Sequence, residues 1–317
     1  MDISIVIPFF NEAESLPNLY NWIEKSLERY DFTYEIIFVD DGSTDNSWEQ
    51  IEHIAKDDHK IKGIRFKRNY GKSAALFNGF QKVRGDVVIT MDADLQDSPE
   101  EIPDMYNMIK EQDYDLISGW KKKRYDPISK RLPSKFFNFT ARKVSGIPLH
   151  DFNCGLKAYK KEVVKSIEVY GEMHRYIPVL AKHLGFNQIG EKVVQHQKRK
   201  FGKTKFGLER FINGFLDLLT LSFVHRFSKK PMHLFGTLGT FIFILGGGMA
   251  VYILARKIYK IYHHLPMRDV VDQPLFFIAL IMVIIGVQLF LAGFLAELIA
   301  RNSHERHYYQ IEKTIGD

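Results

Sequence analysis

The sequence predicts an α/β fold, a mostly parallel sheet covered by helices, followed by a pair of membrane-spanning helices. Two observations predict it. Short runs rich in Ile, Val and Phe alternate with segments whose apolar residues recur every three or four positions, the pattern of successive βαβ units. Beyond about Lys205 the mixed character ends, and two long stretches carry no charged side chain.

The strand-like runs are Ile3 to Pro8, Tyr34 to Asp41, Ile61 to Phe66, Asp86 to Asp92 and Asp115 to Gly119. Their continuous apolar character suits strands buried on both faces. Between them, Leu16, Leu19, Ile23 and Leu27, and then Trp48, Ile51 and Ile54, fall on single helix faces. After Gly207 a helix-period run, Phe211, Phe215, Leu218, Leu219 and Phe223, is interspersed with Arg210, Asp217 and Arg226. Such a helix lies along a membrane surface or packs on the soluble domain.

Leu234 to Ala255 and Gln273 to Ala296 are the uncharged stretches. Each exceeds the roughly 20 residues needed to cross a ~30 Å hydrocarbon core. Gly236, Thr240, Gly246 and Ala250 would permit close helix contact, including self-association into a homo-oligomer. The expected organisation is a soluble domain over 1–206, amphipathic interfacial helices over 207–232, a two-helix transmembrane region over 233–300 and a tail over 301–317.

The formal net charge of +6 in 317 residues arises mainly from two clusters, Lys121 to Arg131 and Lys198 to Lys205. Basic clusters attract phosphate, whether on nucleic acid, a phosphorylated lipid or an anionic leaflet. The spans favour lipid over nucleic acid. Cys154 is the only cysteine, which excludes an intrachain disulfide and a zinc site of several thiolates. The N-terminal residues lack a basic, then apolar, leader pattern, and no signal peptide is expected.

In open α/β sheets ligands bind beyond the carboxyl ends of the strands. Three of those ends are acidic here: Pro8-Phe9-Phe10-Asn11-Glu12, Asp40-Asp41-Gly42-Ser43, and Asp92-Ala93-Asp94-Leu95-Gln96-Asp97. Asp92, Asp94 and Gln96 offer hard oxygen ligands suited to Mg²⁺ or Mn²⁺, with a diphosphate completing the shell. Asp40 and Asp41 can accept hydrogen bonds from ribose hydroxyls or a base edge, while Asp45 or Thr44 suits the N-cap of a helix beginning near Asn46. No Gly-x-Gly-x-x-Gly or Walker sequence is present, which argues against a dinucleotide oxidoreductase and a P-loop NTPase.

These motifs, with His150-Asp-Phe-Asn-Cys-Gly155 and Gly202-Lys-Thr-Lys-Phe-Gly207, resemble the glycosyltransferase family 2 proteins. The resemblance is to their polyprenyl-phosphate branch, dolichyl-phosphate mannose synthases and bactoprenol glucosyl transferases. It implies a GT-A catalytic domain, a nucleotide diphosphate sugar donor, a polyprenyl phosphate acceptor and inversion at the anomeric carbon. Pro8, Phe10, Asn11, Glu12, Val39, Asp41, Asp92, Ala93 and Asp94 would then hold the nucleotide sugar, and Asp92, Asp94 and Gln96 the metal. Lys121, Arg124, Arg131, Arg199 and Lys205 match a basic region facing the acceptor phosphate and leaving diphosphate, the alternative for the Lys121 to Arg124 run being a diffuse lipid-facing surface.

Within that resemblance Asp94, Asp151, Arg199 and Lys205 are the expected catalytic residues, Asp151 positioning the acceptor or acting as base. Gly119-Trp-Lys-Lys-Lys-Arg-Tyr125 replaces the Gly-Ser-Arg-Tyr common in mannose synthases, which with the two spans points toward the glucosyl branch and UDP-glucose. GDP-mannose, another UDP-sugar or an aminopentose donor are the alternatives, and a non-catalytic membrane scaffold is a further one. Phe206 stands where a tyrosine is common. Donor chemistry implies an integral inner-membrane protein with its catalytic domain in the cytoplasm.

Overall fold

The structure is a computed structural model and describes residues 1–122, 128–197, 231–266 and 269–302. The chain divides into two compact units, 1–220 and 221–317.

The first unit is built on a seven-stranded sheet. In chain order it runs β1 (Ile3–Phe9), α1 (Leu16–Leu27), β2 (Tyr34–Asp40), α2 (Ser47–Asp57), β3 (Ile61–Arg65), α3 (Lys72–Lys82), β4 (Val87–Thr90), a 3₁₀ turn at Pro99–Glu101 leading into α4 (Ile102–Lys110), and β5 (Leu116–Trp120). There follow α5 (Ile128–Ser145), β6 (Lys157–Lys160), α6 (Lys161–Ser166), α7 (Ile177–His183) and β7 (Ile189–Val193). The expected five strands are all present, each ending within two residues of its expected position.

The strand order is β3-β2-β1-β4-β6-β5-β7. β1 pairs in parallel with β2 and β4, β2 with β3, and β5 with β7. Only β6 runs against its neighbours, pairing antiparallel with both β4 and β5. The chain leaves β1 toward β2 and β3, then returns to place β4 on the other side of β1. That reversal opens a crevice at the carboxyl ends of β1, β2 and β4, the general ligand position of doubly wound sheets.

β1 is buried along its whole length, and β2 almost so, because helices cover both sheet faces. Ile3, Ile5, Ile7, Ile36 and Phe38 form the core with Leu16, Leu19, Ile23 and Leu27 of α1. The face opposite is sealed by α3. A Cβ at Gly79 would fall 2.4 Å from Val6 Cγ1, so only glycine lets α3 approach β1 so closely.

The second unit contains two long helices, α8 (Pro231–Tyr262) and α9 (Pro274–Asn302). Both are long and apolar enough to cross a membrane, and most of their large side chains are exposed. On α8 the residues buried against α9 include Gly239, Gly246 and Ile253, a seven-residue repeat that keeps one seam facing the partner helix. A Cβ at Gly239 would lie 2.7 Å from the Gly286 carbonyl oxygen, and one at Gly246 would lie 2.9 Å from that of Ala279. Gly246 therefore serves packing within the chain, as does Gly236, whose nitrogen a Cβ on Gly293 of α9 would meet at 3.1 Å, whereas Thr240 is exposed. The interfacial helices expected over 207–232 fall almost wholly outside the described residues.

Candidate active site

The crevice is assembled by hydrogen bonds between strand ends. Asn11, at φ +54°, follows β1 and reaches across to the loop after β2. Its backbone N–H donates to Ser43 Oγ at 2.9 Å, and its Oδ1 accepts the Thr44 N–H at 2.8 Å. The Glu12 N–H donates to Ser47 Oγ at 2.8 Å, while Glu12 Oε2 accepts from Ser15 Oγ at 3.1 Å. Asn11 and Glu12 thus clamp the loops after β1 and β2 together. Pro8 is buried, Phe10 is half-buried, and Val39 is fully buried.

The two aspartates ending β2 diverge. Asp40 is inaccessible; its Oδ1 accepts the Ser43 N–H at 2.8 Å and its Oδ2 lies 3.4 Å from Arg65 Nε. Asp41 turns toward the loop before α3, accepting the Tyr70 N–H at 2.7 Å and the Gly71 N–H at 2.9 Å. Burial raises the Asp41 carboxyl above its ordinary value, against those two backbone donors. Gly42, at φ +76°, lets this turn pass the Arg68 backbone, which a Cβ would meet at 2.4 Å. The N-cap of α2 is Asn46 rather than the expected Asp45 or Thr44; Asp45 stands one residue earlier, its Oδ1 accepting the Ser47 N–H at 3.1 Å.

Beyond the acidic ends, an open cleft lies at the ends of β2 and β3, lined by Gly42, Ser43, Thr44, Arg65, Phe66 and Lys67. Sequence reasoning took Phe66 as a strand end and passed over the basic residues around it. The same strand-end logic, applied to cations as well as carboxylates, would have found them.

After β4 the chain alternates. Ala93 and Leu95 are buried, while Asp92, Asp94 and Gln96 are partly exposed. Leu95 adopts φ +59°, and Asp94 Oδ1 accepts the Gln96 N–H at 3.3 Å. Gln96 is held from behind: its carbonyl accepts the Gln197 N–H at 2.9 Å and its Nε2 donates to the Gln197 carbonyl at 3.3 Å.

The loop containing Asp151 to Gly155 closes on this turn. A Cβ at Gly155 would lie 2.4 Å from Asp92 Oδ2, so the absence of a side chain is what lets the loop reach the carboxylate. Thr90 Oγ1 ties the same loop to β4 by donating to the Gly155 carbonyl at 2.9 Å. Asp151 is buried, with its Oδ1 accepting the Asn153 N–H at 3.1 Å.

Cations crowd the other side of Asp92. The Lys72 ammonium, at the first position of α3, pairs with Asp92 Oδ1. Lys157 is buried on β6 and donates to the Cys154 carbonyl. Burial works to raise the Asp92 carboxyl, but Lys72, Lys121 and Lys157 outweigh it and hold that carboxyl below its ordinary value. Lys121 Nζ lies 2.6 Å from Asp97 Oδ1, and that pair is largely shielded from solvent. Lys121 is therefore paired with Asp97 close to Asp92. Arg124, Arg199, Lys205 and the side chain of Arg131 lie outside the described residues.

Two carboxylates and one amide, all partly exposed within one short segment, are donor types that suit a divalent cation carried by a substrate diphosphate, which needs few protein ligands. Among the described residues no group of three or more His, Cys, Asp and Glu side chains converges, so this protein contribution is a thin one. The Lys72 ammonium already demonstrates that a cation is accommodated on Asp92.

Strand ends carrying paired aspartates, on a sheet with one reversed strand near its middle, define the GT-A glycosyltransferase architecture. The chain belongs to glycosyl transferase family 2, whose domain matches residues 4–168. It is 33% identical to the dodecaprenyl-phosphate galacturonate synthase of Rhizobium johnstonii, over 95% of this chain and 88% of that protein. It is 34% identical to the undecaprenyl-phosphate 4-deoxy-4-formamido-L-arabinose transferase of Proteus mirabilis, over 99% of this chain and 94% of the relative. Among solved structures it resembles the glucosyl-3-phosphoglycerate synthase of Mycobacterium tuberculosis in complex with Mn²⁺, UDP-glucose and glycerol 3-phosphate. That likeness has a TM-score of 0.52 and 19% identity, covers 71% of this chain and 79% of the other, and speaks for the fold.

Proposed function

We propose that this protein transfers a sugar, with inversion, from a nucleotide diphosphate donor to the phosphate of a polyprenyl carrier. The observation that supports the reading is topological: Asp92, Asp94 and Gln96 follow β4, and Asn11, Glu12 and Asp41 follow β1 and β2, the neighbouring parallel strands. The names of two full-length relatives at 33% and 34% identity support the carrier, and the two apolar helices suit a lipid-borne substrate.

Asp92, Asp94 and Gln96 would hold Mg²⁺ or Mn²⁺, which when bound neutralises charge developing on the leaving nucleotide. The nucleoside lies toward the loops after β1, β2 and β3, where Asp41 shapes the Tyr70–Gly71 turn and Arg65 and Phe66 line a cleft. The acceptor needs little activation, since a phosphate monoester with a second pKa near ~6 is already ionised at neutral pH. Alignment and charge neutralisation then supply most of the catalysis. With Lys121 paired to Asp97, the acceptor phosphate falls to Arg124, Arg131, Arg199 and Lys205. Asp151 positions the loop from which the acceptor is presented. Placing the catalytic unit in the cytoplasm follows from the donor, which is a cytoplasmic metabolite.

Two readings of the sugar have specific support. The Trp-Lys-Lys-Lys-Arg run after β5 and the two spans favour glucose from UDP-glucose, whereas the relatives' names favour galacturonate or a formamido-arabinose. Membranes containing the protein, incubated with undecaprenyl phosphate and each nucleotide sugar in turn, yield a glycolipid whose mass identifies donor and acceptor together. Failure of every donor, including GDP-mannose, overturns the proposal in favour of a non-catalytic role.

A further inference from the structure

Asp92 has two carboxylate oxygens, and each already has a neighbour. Gly155 packs against Oδ2 so closely that a Cβ there would lie 2.4 Å away. The Lys72 ammonium sits on Oδ1. A metal ion approaching Asp92 therefore meets protein backbone on one side and a resident cation on the other.

The backbone carrying Lys72 is fixed on both sides. The preceding Tyr70 and Gly71 N–H groups donate to Asp41 at 2.7 and 2.9 Å. The following Ser73 Oγ accepts the His174 N–H at 3.1 Å and lies 3.1 Å from His174 Nδ1. Lys72 can thus leave Asp92 only by rotating its own side chain, a flexible four-carbon stem ending in a point charge. Its side chain is 28% exposed and that of Asp92 is 33% exposed, so both reach solvent.

We propose that Lys72 is an internal counter-ion that occupies the metal-binding oxygen of Asp92 until a nucleotide diphosphate arrives, and then transfers its charge to that diphosphate. The inference rests on the metal and diphosphate reading of the site given above. Free metal must displace an ammonium from Asp92 and leave it with water alone in place of an anionic partner. Metal arriving with a diphosphate supplies the displaced ammonium with new anionic partners. Metal and nucleotide then bind with positive coupling, as linkage requires, and the apo site remains closed to adventitious cations. Asp41 joins the same device, since the turn it holds is the one that aims Lys72.

The test is Mn²⁺ binding to the full-length protein in detergent, followed by loss of the free-ion paramagnetic signal, with and without UDP. Removing a charge-assisted contact worth roughly 1.5 kcal/mol corresponds to about a tenfold change in affinity. Lys72→Met should therefore bind Mn²⁺ about tenfold more tightly than the wild type without nucleotide. With UDP the two should differ by less than about threefold, because Lys72 has left Asp92 in the wild type. Lys72→Arg, which keeps a cation, should retain the wild-type pattern, and Asp92→Asn should bind weakly in both conditions. Equal Mn²⁺ affinity of wild type and Lys72→Met without UDP, while UDP still promotes binding, overturns the counter-ion role and spares the functional reading. Absence of Mn²⁺ binding by any form with UDP overturns both.

Discussion

Lys121 and Asp97 form a shielded ion pair, Nζ to Oδ1 2.6 Å, at the end of the segment that carries Asp92, Asp94 and Gln96. Asp97 has no exposed side-chain surface and Lys121 little. Asp97 raises the Lys121 ammonium above its ordinary value against the opposing effect of burial. Breaking such a pair from one side strands a buried charge, at a typical cost of about 3–5 kcal/mol. Lys121→Met is expected to lower thermal stability sharply, and Lys121→Met combined with Asp97→Leu to recover most of the loss. Melting curves of wild type and the two variants check this; a Lys121→Met protein as stable as wild type would return Lys121 to the acceptor-phosphate or lipid-facing role.

Gly155→Ala introduces a Cβ 2.4 Å from Asp92 Oδ2. The loop or the carboxylate must shift by an ångström or so, a displacement that can cost about a hundredfold in turnover when it misplaces a reacting group. Turnover is expected to fall on that scale while the protein keeps its fold. Glycolipid formation by Gly155→Ala, with circular dichroism as the folding control, measures it.

Asp151→Asn removes a buried charge while leaving an oxygen able to accept the Asn153 N–H, 3.1 Å away in the wild type. The substituted chain should bind donor with unchanged affinity and turn over more slowly. Titration calorimetry with UDP beside a turnover assay separates the two quantities; wild-type turnover would remove Asp151 from the chemistry.

The fold is expected to lose stability in acid by two distinct routes. Burial, with Lys72 and Arg175 nearby, keeps the His174 imidazole well below its ordinary 6.5. The unfolded chain takes up that proton first, so stability starts to fall as pH drops below about 6.5. Glu35 is the opposite case: burial works to raise its carboxyl, but Lys62, Ser4 and the Arg84 N–H outweigh it and hold it below 4.5. Its contribution is complete above pH 4.5 and disappears as pH falls through the lowered folded value. Denaturant midpoints against pH should show the first limb flattened in His174→Asn and the second in Glu35→Gln.

In the apolar unit, a Cβ at Gly286 would lie 2.7 Å from the Phe243 nitrogen and 2.8 Å from the Gly239 carbonyl oxygen. Gly286→Leu should therefore separate α8 from α9. Gly247→Leu should be nearly silent, since nothing lies within 4 Å of that position. Loss of the helical melting transition in detergent for the first variant alone is the expected result.

The strands with continuous Ile, Val and Phe runs were legible because burial on both faces leaves an unbroken apolar string. β6 and β7 were not. Lys157–Lys160 reads Lys-Ala-Tyr-Lys, with cations at both ends, and Ile189–Val193 is only half-buried, so neither carries the apolar run or the alternation that marks a strand. Asp92, Asp94 and Gln96 were found by residue type and strand-end position, both local properties. Lys72 was missed because its partner is twenty positions away in the chain, and nothing local distinguishes it from any lysine at the start of a helix. For Lys121, the cluster of positive charge was visible, but its partner Asp97 lies 24 positions earlier and showed only as the last residue of an acidic strand end. The glycine stripe on α8 likewise announces close contact without saying whether the partner is another copy or α9.

Cys154 is packed at the end of the Asp151–Gly155 loop against β5, where a Cβ on Gly119 would lie 2.8 Å from its sulfur. Burial pushes its thiol up to about 12, so at neutral pH it is neither ionised nor reachable by maleimides or methanethiosulfonates. The wild-type chain is in effect a cysteine-free background for spectroscopy. Single cysteines walked along α8 and α9 can carry nitroxide or fluorescent reporters with no native thiol to delete, and the depth of each reporter in a bilayer can be mapped on an unaltered catalytic unit.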